Sequence, residues 1–84
     1  MKEKAAPKPA IQVLERSFAL FEVLAAHQEP VSLKEISTKT GLHPSTAHRI
    51  LNDLALGGFV DRPQAGNYRL GMRLLELGNL VKAR

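Results

Sequence analysis

The segment from residue 45 to residue 53 combines side chains that can hydrogen-bond bases and phosphates. They are Ser45, Thr46, His48, Arg49, Asn52 and Asp53. On a helix these residues occupy the face opposite an apolar arc about 100° wide, made of Ala47, Ile50, Leu51 and Leu54. Hydroxyl, imidazole, guanidinium and amide groups reach base edges and phosphate oxygens in a major groove. On an isolated helix a solvated polar face is the commoner meaning, so the neighbouring segments decide.

The chain before this segment carries the signals of a shorter helix. Ser32 and Glu35 form an S-x-x-E capping box, which predicts a helix start where each side chain satisfies a backbone N–H. Gly41 predicts the end of that helix, because glycine adopts the left-handed conformation without steric cost. Pro44 suits the first turn of the next helix, where its missing N–H has no partner to lose. Residues 32–60 therefore predict a helix-turn-helix.

A β-hairpin is predicted directly after the second helix. Gly57 and Gly58 end the helical pattern, and residues 59–70 then predict strand, turn and strand over 59–62, 63–66 and 67–70. The predicted register has three facing pairs: Val60 with Leu70 on the core side, Asp61 with Arg69 as an opposite-charge pair, and Arg62 with Tyr68 near the tip. A hairpin in this place makes the predicted fold a winged helix-turn-helix, mainly α with a small β-hairpin.

The flanking segments complete the predicted organisation. Residues 1–10 predict a disordered arm, because they hold lysines and prolines without an apolar period. Residues 11–27 predict a helix whose apolar arc spans about 160°, wider than packing against one neighbour needs. Either this helix is the centre of the core, or its surplus contacts a two-fold partner. Residues 71–84 return to helical period, which predicts a further helix after a domain at 11–70.

Composition excludes several functional classes. The 84 residues include 12 Lys and Arg against 8 Asp and Glu, giving a net charge of +4, the sign that a polyanion-binding surface requires. There is no cysteine, and His43 and His48 are five residues apart, so neither a cysteine zinc site nor an i, i+4 histidine pair is available. We expect no enzyme activity, cofactor or metal. With no signal-peptide pattern or membrane-length apolar run, we expect a cytoplasmic protein with no membrane partner.

From Ile11 onward the chain resembles the N-terminal DNA-binding domain of the IclR family of bacterial transcription regulators. The resemblance is carried by SLKEISTKTGL, by STAHRIL at 45–51, by GFVDR and by YRLGMRLLELG at 68–78. It implies sequence-specific binding of double-stranded operator DNA by a homodimer or tetramer, and it makes residues 71–84 a linker helix. The surplus apolar surface of the first helix leads us to expect dimer contacts through that helix and the linker helix. The resemblance also implies a small-molecule effector, bound by a C-terminal domain that these 84 residues do not include.

The resemblance places DNA contacts on a recognition helix at 44–57 and a wing at 59–70. The positions implied are Ser45, Thr46, His48, Arg49 and Asn52 on the helix, with Arg62 and Arg69 in the wing. Lys34, on the shorter helix, adds a charge that can neutralise a phosphate. Arg49 is predicted to read bases and Arg62 to meet phosphate or the minor groove. A winged-helix module that binds protein or RNA is the alternative.

Two positions depart from the family's usual pattern. His43-Pro44 stands where the family commonly has Pro-Lys, so a phosphate-binding lysine is missing. Gly57 replaces a common leucine, and this predicts that the recognition helix ends early.

Overall fold

The computed structural model describes residues 9–82, which form helices around a three-stranded antiparallel sheet. The elements are α1 (Pro9–Ala25), β1 (Val31–Ser32), α2 (Leu33–Thr40), α3 (Pro44–Leu56), β2 (Val60–Gln64), β3 (Asn67–Leu70) and α4 (Met72–Lys82). The strand order is β1-β3-β2. The mainly α winged helix-turn-helix is confirmed. Residues 1–8 of the predicted arm lie outside the described residues, and α1 begins at Pro9, two residues before the predicted start.

The hydrophobic core lies where α1, α2 and α3 meet the sheet. Its buried apolar side chains are Leu20, Leu24, Val31, Ile36, Ala47, Ile50, Leu51, Val60 and Tyr68. Three of the four residues in the predicted apolar arc of α3 are among them, and the fourth, Leu54, is half-buried against the core. The apolar face of α3 packs into the core, so its polar face is turned outward.

The turn between α2 and α3 is closed by both backbone and side-chain hydrogen bonds. Gly41 has φ 76°, in the left-handed region, and its N–H donates to the Ser37 carbonyl oxygen at 2.9 Å. The Ser37 hydroxyl donates to the Leu42 carbonyl oxygen. The Leu42 N–H in turn donates to Thr40 Oγ1 at 3.2 Å. The predicted stop at Gly41 is confirmed, and the two hydroxyls fix the path of the chain into α3.

The capping box at the start of α2 is only half formed. Ser32 Oγ accepts a hydrogen bond from the Glu35 N–H at 3.1 Å, as predicted. The Glu35 carboxylate, however, accepts from His27 Nε2 at 3.0 Å and lies 3.9 Å from Lys39 Nζ. The predicted reciprocal bond is wrong: His27, just beyond α1, offers the carboxylate a partner that ties α1 to α2.

The sheet differs from the predicted hairpin at its tip and in its number of strands. The pairs Val60–Leu70 and Asp61–Arg69 are confirmed, but the register then shifts so that Gln64 pairs with Asn67. The turn consequently contains Ala65 and Gly66 rather than residues 63–66. The short strand β1 was not predicted, and it pairs with β3 across Val31 and Tyr68.

The core side of the hairpin also differs from the prediction. Leu70 is 39% exposed, whereas Tyr68 is 1% exposed and is the largest fully buried side chain of the described residues. Tyr68 is buried because β1 and α1 cover this part of β3.

The outer helices leave apolar side chains uncovered. On α1 these are Ile11, Val13, Leu14 and Phe18; on α4 they are Met72, Leu75, Leu77, Leu80 and Val81. Among residues 11–25 of α1 the buried side chains are Ser17, Leu20 and Leu24, so α1 is a core helix along its second half, while α4 buries no side chain. No helix among residues 9–82 is long and apolar enough to cross a membrane.

The hairpin joins α4 through a backbone contact that requires glycine, here called the glycine joint (Gly58, Phe59 and Gly71). The Gly71 N–H donates to the Phe59 carbonyl oxygen at 2.8 Å, and the Arg73 N–H donates to the Gly58 carbonyl oxygen at 3.1 Å. A Cβ at position 71 would lie 2.1 Å from the Gly58 oxygen, far inside van der Waals contact. The glycine joint therefore fixes where the hairpin begins and where α4 leaves it.

Candidate nucleic-acid interface

The outward surface of α3 presents most of the side chains predicted to contact DNA. Ser45, His48 and Arg49 are exposed, and Thr46 and Asn52 are half-buried at its margins. The helix ends at Leu56, one residue before the predicted end, with Gly57 as its C-cap and Gly58 at φ 81°. A Cβ at Gly57 would lie 2.9 Å from two ring carbons of Phe59. The helix therefore ends directly before this glycine.

The N-terminus of α3 is capped by a histidine. His43 Nδ1 accepts a hydrogen bond from the Ser45 N–H at 3.2 Å and lies 2.9 Å from Ser45 Oγ. The ring nitrogen therefore does what a serine or aspartate oxygen usually does at this position. The first N–H of the helix beyond Pro44 is consequently engaged within the chain.

The wing contacts the recognition helix through Arg62. Its Nη1 donates to Asn52 Oδ1 at 2.8 Å, and its guanidinium carbon lies 5.8 Å from the centre of the Tyr68 ring. On the other side of Asn52, the amide nitrogen is 3.4 Å from His48 Nε2, one turn earlier on α3. Three predicted site residues thus form one chain of contacts, here called the His48–Asn52–Arg62 chain.

The second wing arginine is held differently. Arg69 Nε and Nη2 lie 2.9 Å and 2.8 Å from Asp61 Oδ2, across the paired strands β2 and β3. This is the predicted opposite-charge pair, and both side chains remain about half exposed. Arg69 reaches any outside phosphate with its charge partly balanced by a neighbouring carboxylate.

The two remaining cations of the predicted site are not balanced in this way. Lys34 is exposed on α2, and Arg49 is exposed in the middle of α3. Within residues 9–82 neither forms an ion pair. Their charge is directed at solvent, where an anionic partner can use it.

Sequence reasoning missed the two contacts that organise this surface. The His43 cap had a signal, since the residue directly before a first-turn proline occupies the N-cap position. The Arg62–Asn52 bond joins residues ten positions apart on a helix and a strand, and no periodic pattern encodes such a contact. No group of three or more His, Cys, Asp or Glu residues among those described is arranged to hold a metal ion.

Comparison with known proteins places these features in a family. Residues 13–64 match the IclR helix-turn-helix domain. The glycerol operon regulatory protein of Streptomyces griseus is 44% identical over 70 residues, covering 82% of this chain and 28% of that protein. An IclR homolog from Microbacterium hydrocarbonoxydans, crystallised with 4-hydroxybenzoate, is 34% identical with a TM-score of 0.70. That alignment covers 77% of this chain and 27% of the homolog.

A smaller structure covers the whole fold. The homodimeric winged helix-turn-helix DNA-binding domain of a Mycobacterium bovis protein is 25% identical with a TM-score of 0.54. It covers 99% of this chain and 88% of that domain. The chain therefore spans under a third of the two regulators above and almost all of an isolated domain. The match over residues 13–64, more than half of the chain, shows that this chain belongs to the IclR family.

Proposed function

We propose that this chain binds double-stranded DNA sequence-specifically as the DNA-binding domain of a transcription regulator. α3 enters the major groove, and the hairpin of β2 and β3 lies on the backbone or in the minor groove. The observation that supports this most directly is the outward face of α3, which is polar, cationic and continuous with the wing through the Arg62–Asn52 bond. The names of the relatives, which are transcription regulators, agree with it.

The side chains divide by what they can reach. Arg49 projects from the middle of α3, where a guanidinium can pair with guanine O6 and N7. Asn52, one turn on, can pair with an adenine, and Ser45, Thr46 and His48 complete the same face. Lys34, Arg62 and Arg69 lie beside this face and meet phosphates or the minor groove.

Salt dependence tests the proposal without knowledge of the operator. Each subunit neutralising three or four phosphates gives a dimer a log–log salt slope of roughly −5 to −7. The measurement is fluorescence anisotropy on a random 30-base-pair duplex pool at several salt concentrations, followed by selection of the tightest-binding sequences. A slope near zero, or tighter binding to an RNA of the same length, would reject duplex DNA as the partner. Binding to the pool without enrichment of any sequence would reject sequence specificity.

We also propose that the domain works as a homodimer. The motivation is the apolar surface left uncovered on the first half of α1 and along α4, since a monomer rarely exposes so many large apolar side chains together. The homodimeric domain from Mycobacterium bovis shows that a fold of this size pairs in one similar protein. We expect a second copy of this chain to cover that surface, because in a two-fold dimer the same patch of each subunit contacts the other subunit.

Phe18, the most exposed of the four uncovered apolar side chains of α1 at 60%, gives the sharpest test of the dimer. Phe18→Glu should shift sedimentation toward monomer and weaken duplex binding, while the melting temperature stays near that of the unmodified protein. Glu22→Gln, an exposed change on the same helix, is the matched control. Sedimentation of the unmodified protein as a monomer at high concentration, and one subunit per selected duplex, would remove the proposal.

We propose effector control from the size of the relatives, in which the matched segment is under a third of the protein. In a regulator of that length, a small molecule would act through a C-terminal domain outside the segment matched here. The bound 4-hydroxybenzoate of the Microbacterium homolog makes a small aromatic acid the first class of effector to test on the full-length protein.

A further inference from the structure

The His48–Asn52–Arg62 chain has only one arrangement of donors and acceptors. A guanidinium carries donors and no acceptor, so the Asn52 atom that faces Arg62 at 2.8 Å has to be the amide oxygen. The amide nitrogen then faces His48 Nε2, and because an NH₂ group only donates, that ring nitrogen accepts. The orientation of the Asn52 amide is thus set by its two neighbours.

Arg62 is also held in place by the ring of Tyr68. Its guanidinium lies 5.8 Å from the centre of the Tyr68 ring, within the range of a cation–π contact. The Tyr68 side chain is 1% exposed, so the ring is a fixed surface in the core. A planar group seated against a rigid ring loses less freedom when it forms a hydrogen bond than a free arginine does.

We infer that Arg62 is a positioning residue for base reading by α3: it orients the Asn52 amide before DNA arrives. The inference rests on the proposed DNA binding and deepens it, because it gives a wing residue a part in specificity. An asparagine reads adenine by accepting from N6 and donating to N7, so a flipped or freely rotating amide loses discrimination. Because Arg62 orients the amide in advance, discrimination is not lost to a flipped or rotating amide when DNA binds.

The structure supplies a matched control in the same hairpin. Arg69 is also an exposed wing arginine, but its partner is Asp61 on the neighbouring strand. Both arginines carry one charge toward DNA, so both contribute to affinity for any sequence. Of the two, only Arg62 has a side-chain hydrogen bond to a residue of α3, and specificity therefore separates them.

The experiment is a double-mutant cycle on two duplexes: the sequence selected from the random pool by the unmodified protein, and a scrambled version of it. Specificity is the dissociation constant for the scrambled duplex divided by that for the selected duplex. Arg62→Ala should lower this ratio roughly three- to ten-fold, the size of coupling expected between residues in contact. In an Asn52→Ala background Arg62→Ala should leave the ratio unchanged. Arg69→Ala should weaken both duplexes equally and leave the ratio intact.

A measurement without DNA separates orientation from binding. The Asn52 side-chain amide resonances in ¹H–¹⁵N spectra should shift in Arg62→Ala and stay in place in Arg69→Ala. Arg62→Met, which keeps an unbranched stem beside Tyr68, repeats each measurement in a variant with that part of the packing retained.

The outcomes distinguish this inference from the proposed function. If Arg62→Ala and Arg62→Met weaken both duplexes equally while the unmodified protein remains specific, Arg62 is a phosphate anchor and the inference is wrong. An Asn52→Ala variant with undiminished specificity would also overturn it. Failure of the unmodified protein to bind duplex DNA would instead overturn the proposed function beneath it.

Discussion

The glycine joint and the polar face of α3 are neighbouring regions built in opposite ways. At the joint, backbone meets backbone, and an added Cβ at Gly71 has no room. On the polar face, the side chains of Arg49 and His48 are exposed, and His48 has one polar contact, 3.4 Å from Nε2 to the Asn52 amide nitrogen. The joint is specified by the absence of side chains, and the face by their functional groups.

This difference predicts how substitutions divide. A change at the joint must move backbone and so acts on the fold, whatever the chemistry of the new residue. A change on the face removes a group that water can replace, so it acts on binding and leaves the free energy of unfolding almost unchanged. Substitutions in the two regions test whether fold and recognition are this separable.

The largest effect is expected from Gly71→Ala. Its Cβ would lie 2.1 Å from the Gly58 oxygen, so the backbone segments around residues 58 and 71 must separate. The hydrogen bond from the residue 71 N–H to the Phe59 carbonyl oxygen, 2.8 Å long, then weakens or breaks. We expect a loss of about 3 kcal/mol in the free energy of unfolding, from overpacking and the lost hydrogen bond together. Urea denaturation followed by circular dichroism measures it.

Gly78→Ala is the matched control for that change. Gly78 lies inside α4 with no atom within 4 Å of a built Cβ, so alanine there should keep stability or raise it by up to about 1 kcal/mol. Equal stability of the two variants would show that the joint opens without cost, and the contrast between the two regions would fail.

The next effect is expected from Arg49→Ala, on the polar face. Its guanidinium forms no ion pair within residues 9–82 and is proposed to read a guanine. The substitution should cost about 1–3 kcal/mol of binding on the selected duplex and shrink the gap to a scrambled one. Its melting temperature should match that of the unmodified protein.

Lys39→Ala, an exposed cation on α2, is the control for a change of charge alone. It should weaken both duplexes by the same small factor or neither. If Arg49→Ala weakens both duplexes equally, Arg49 is a phosphate anchor and the reading face lies elsewhere.

Sequence reasoning was most accurate where the determining contacts are local. The Ser32 cap, the Gly41 stop and the Pro44 start each depend on residues within one turn, and all three are found in the structure. The apolar arc of α3 was predicted because burial follows the helical period. These features also orient the candidate site, so its placement on the outward face of α3 followed from the sequence.

The features that were missed depend on contacts between distant segments. Tyr68 was expected to face Arg62 near the hairpin tip, yet β1 pairs beside it and it becomes the largest fully buried side chain of the described residues. The Glu35 carboxylate was predicted to accept from a backbone N–H at the start of its own helix, but it accepts from His27 Nε2 instead. The hydrogen bond from Arg62 to Asn52 depends on the position of the hairpin relative to α3. Each result needs the relative position of two elements, which periodicity does not contain.

The smallest effect is expected from Asp61→Asn, at the boundary between the two regions. The carboxylate is half exposed and pairs with Arg69, and pairs of this kind contribute under about 1 kcal/mol to stability. Its effect on binding should be clearer, because the pair holds an arginine charge that a phosphate could otherwise use. Released from Asp61, Arg69 should tighten binding to selected and scrambled duplexes by similar factors. The log–log salt slope should become steeper by about one per subunit that contacts DNA.

Glu76→Gln, which frees Arg73 from a pair at 3.2 Å on α4, is the matched control and should leave the slope unchanged. The comparison is made by titrating each variant into both duplexes over a range of salt. A slope that stays constant in Asp61→Asn would remove Arg69 from the interface and confine the wing's contribution to Arg62.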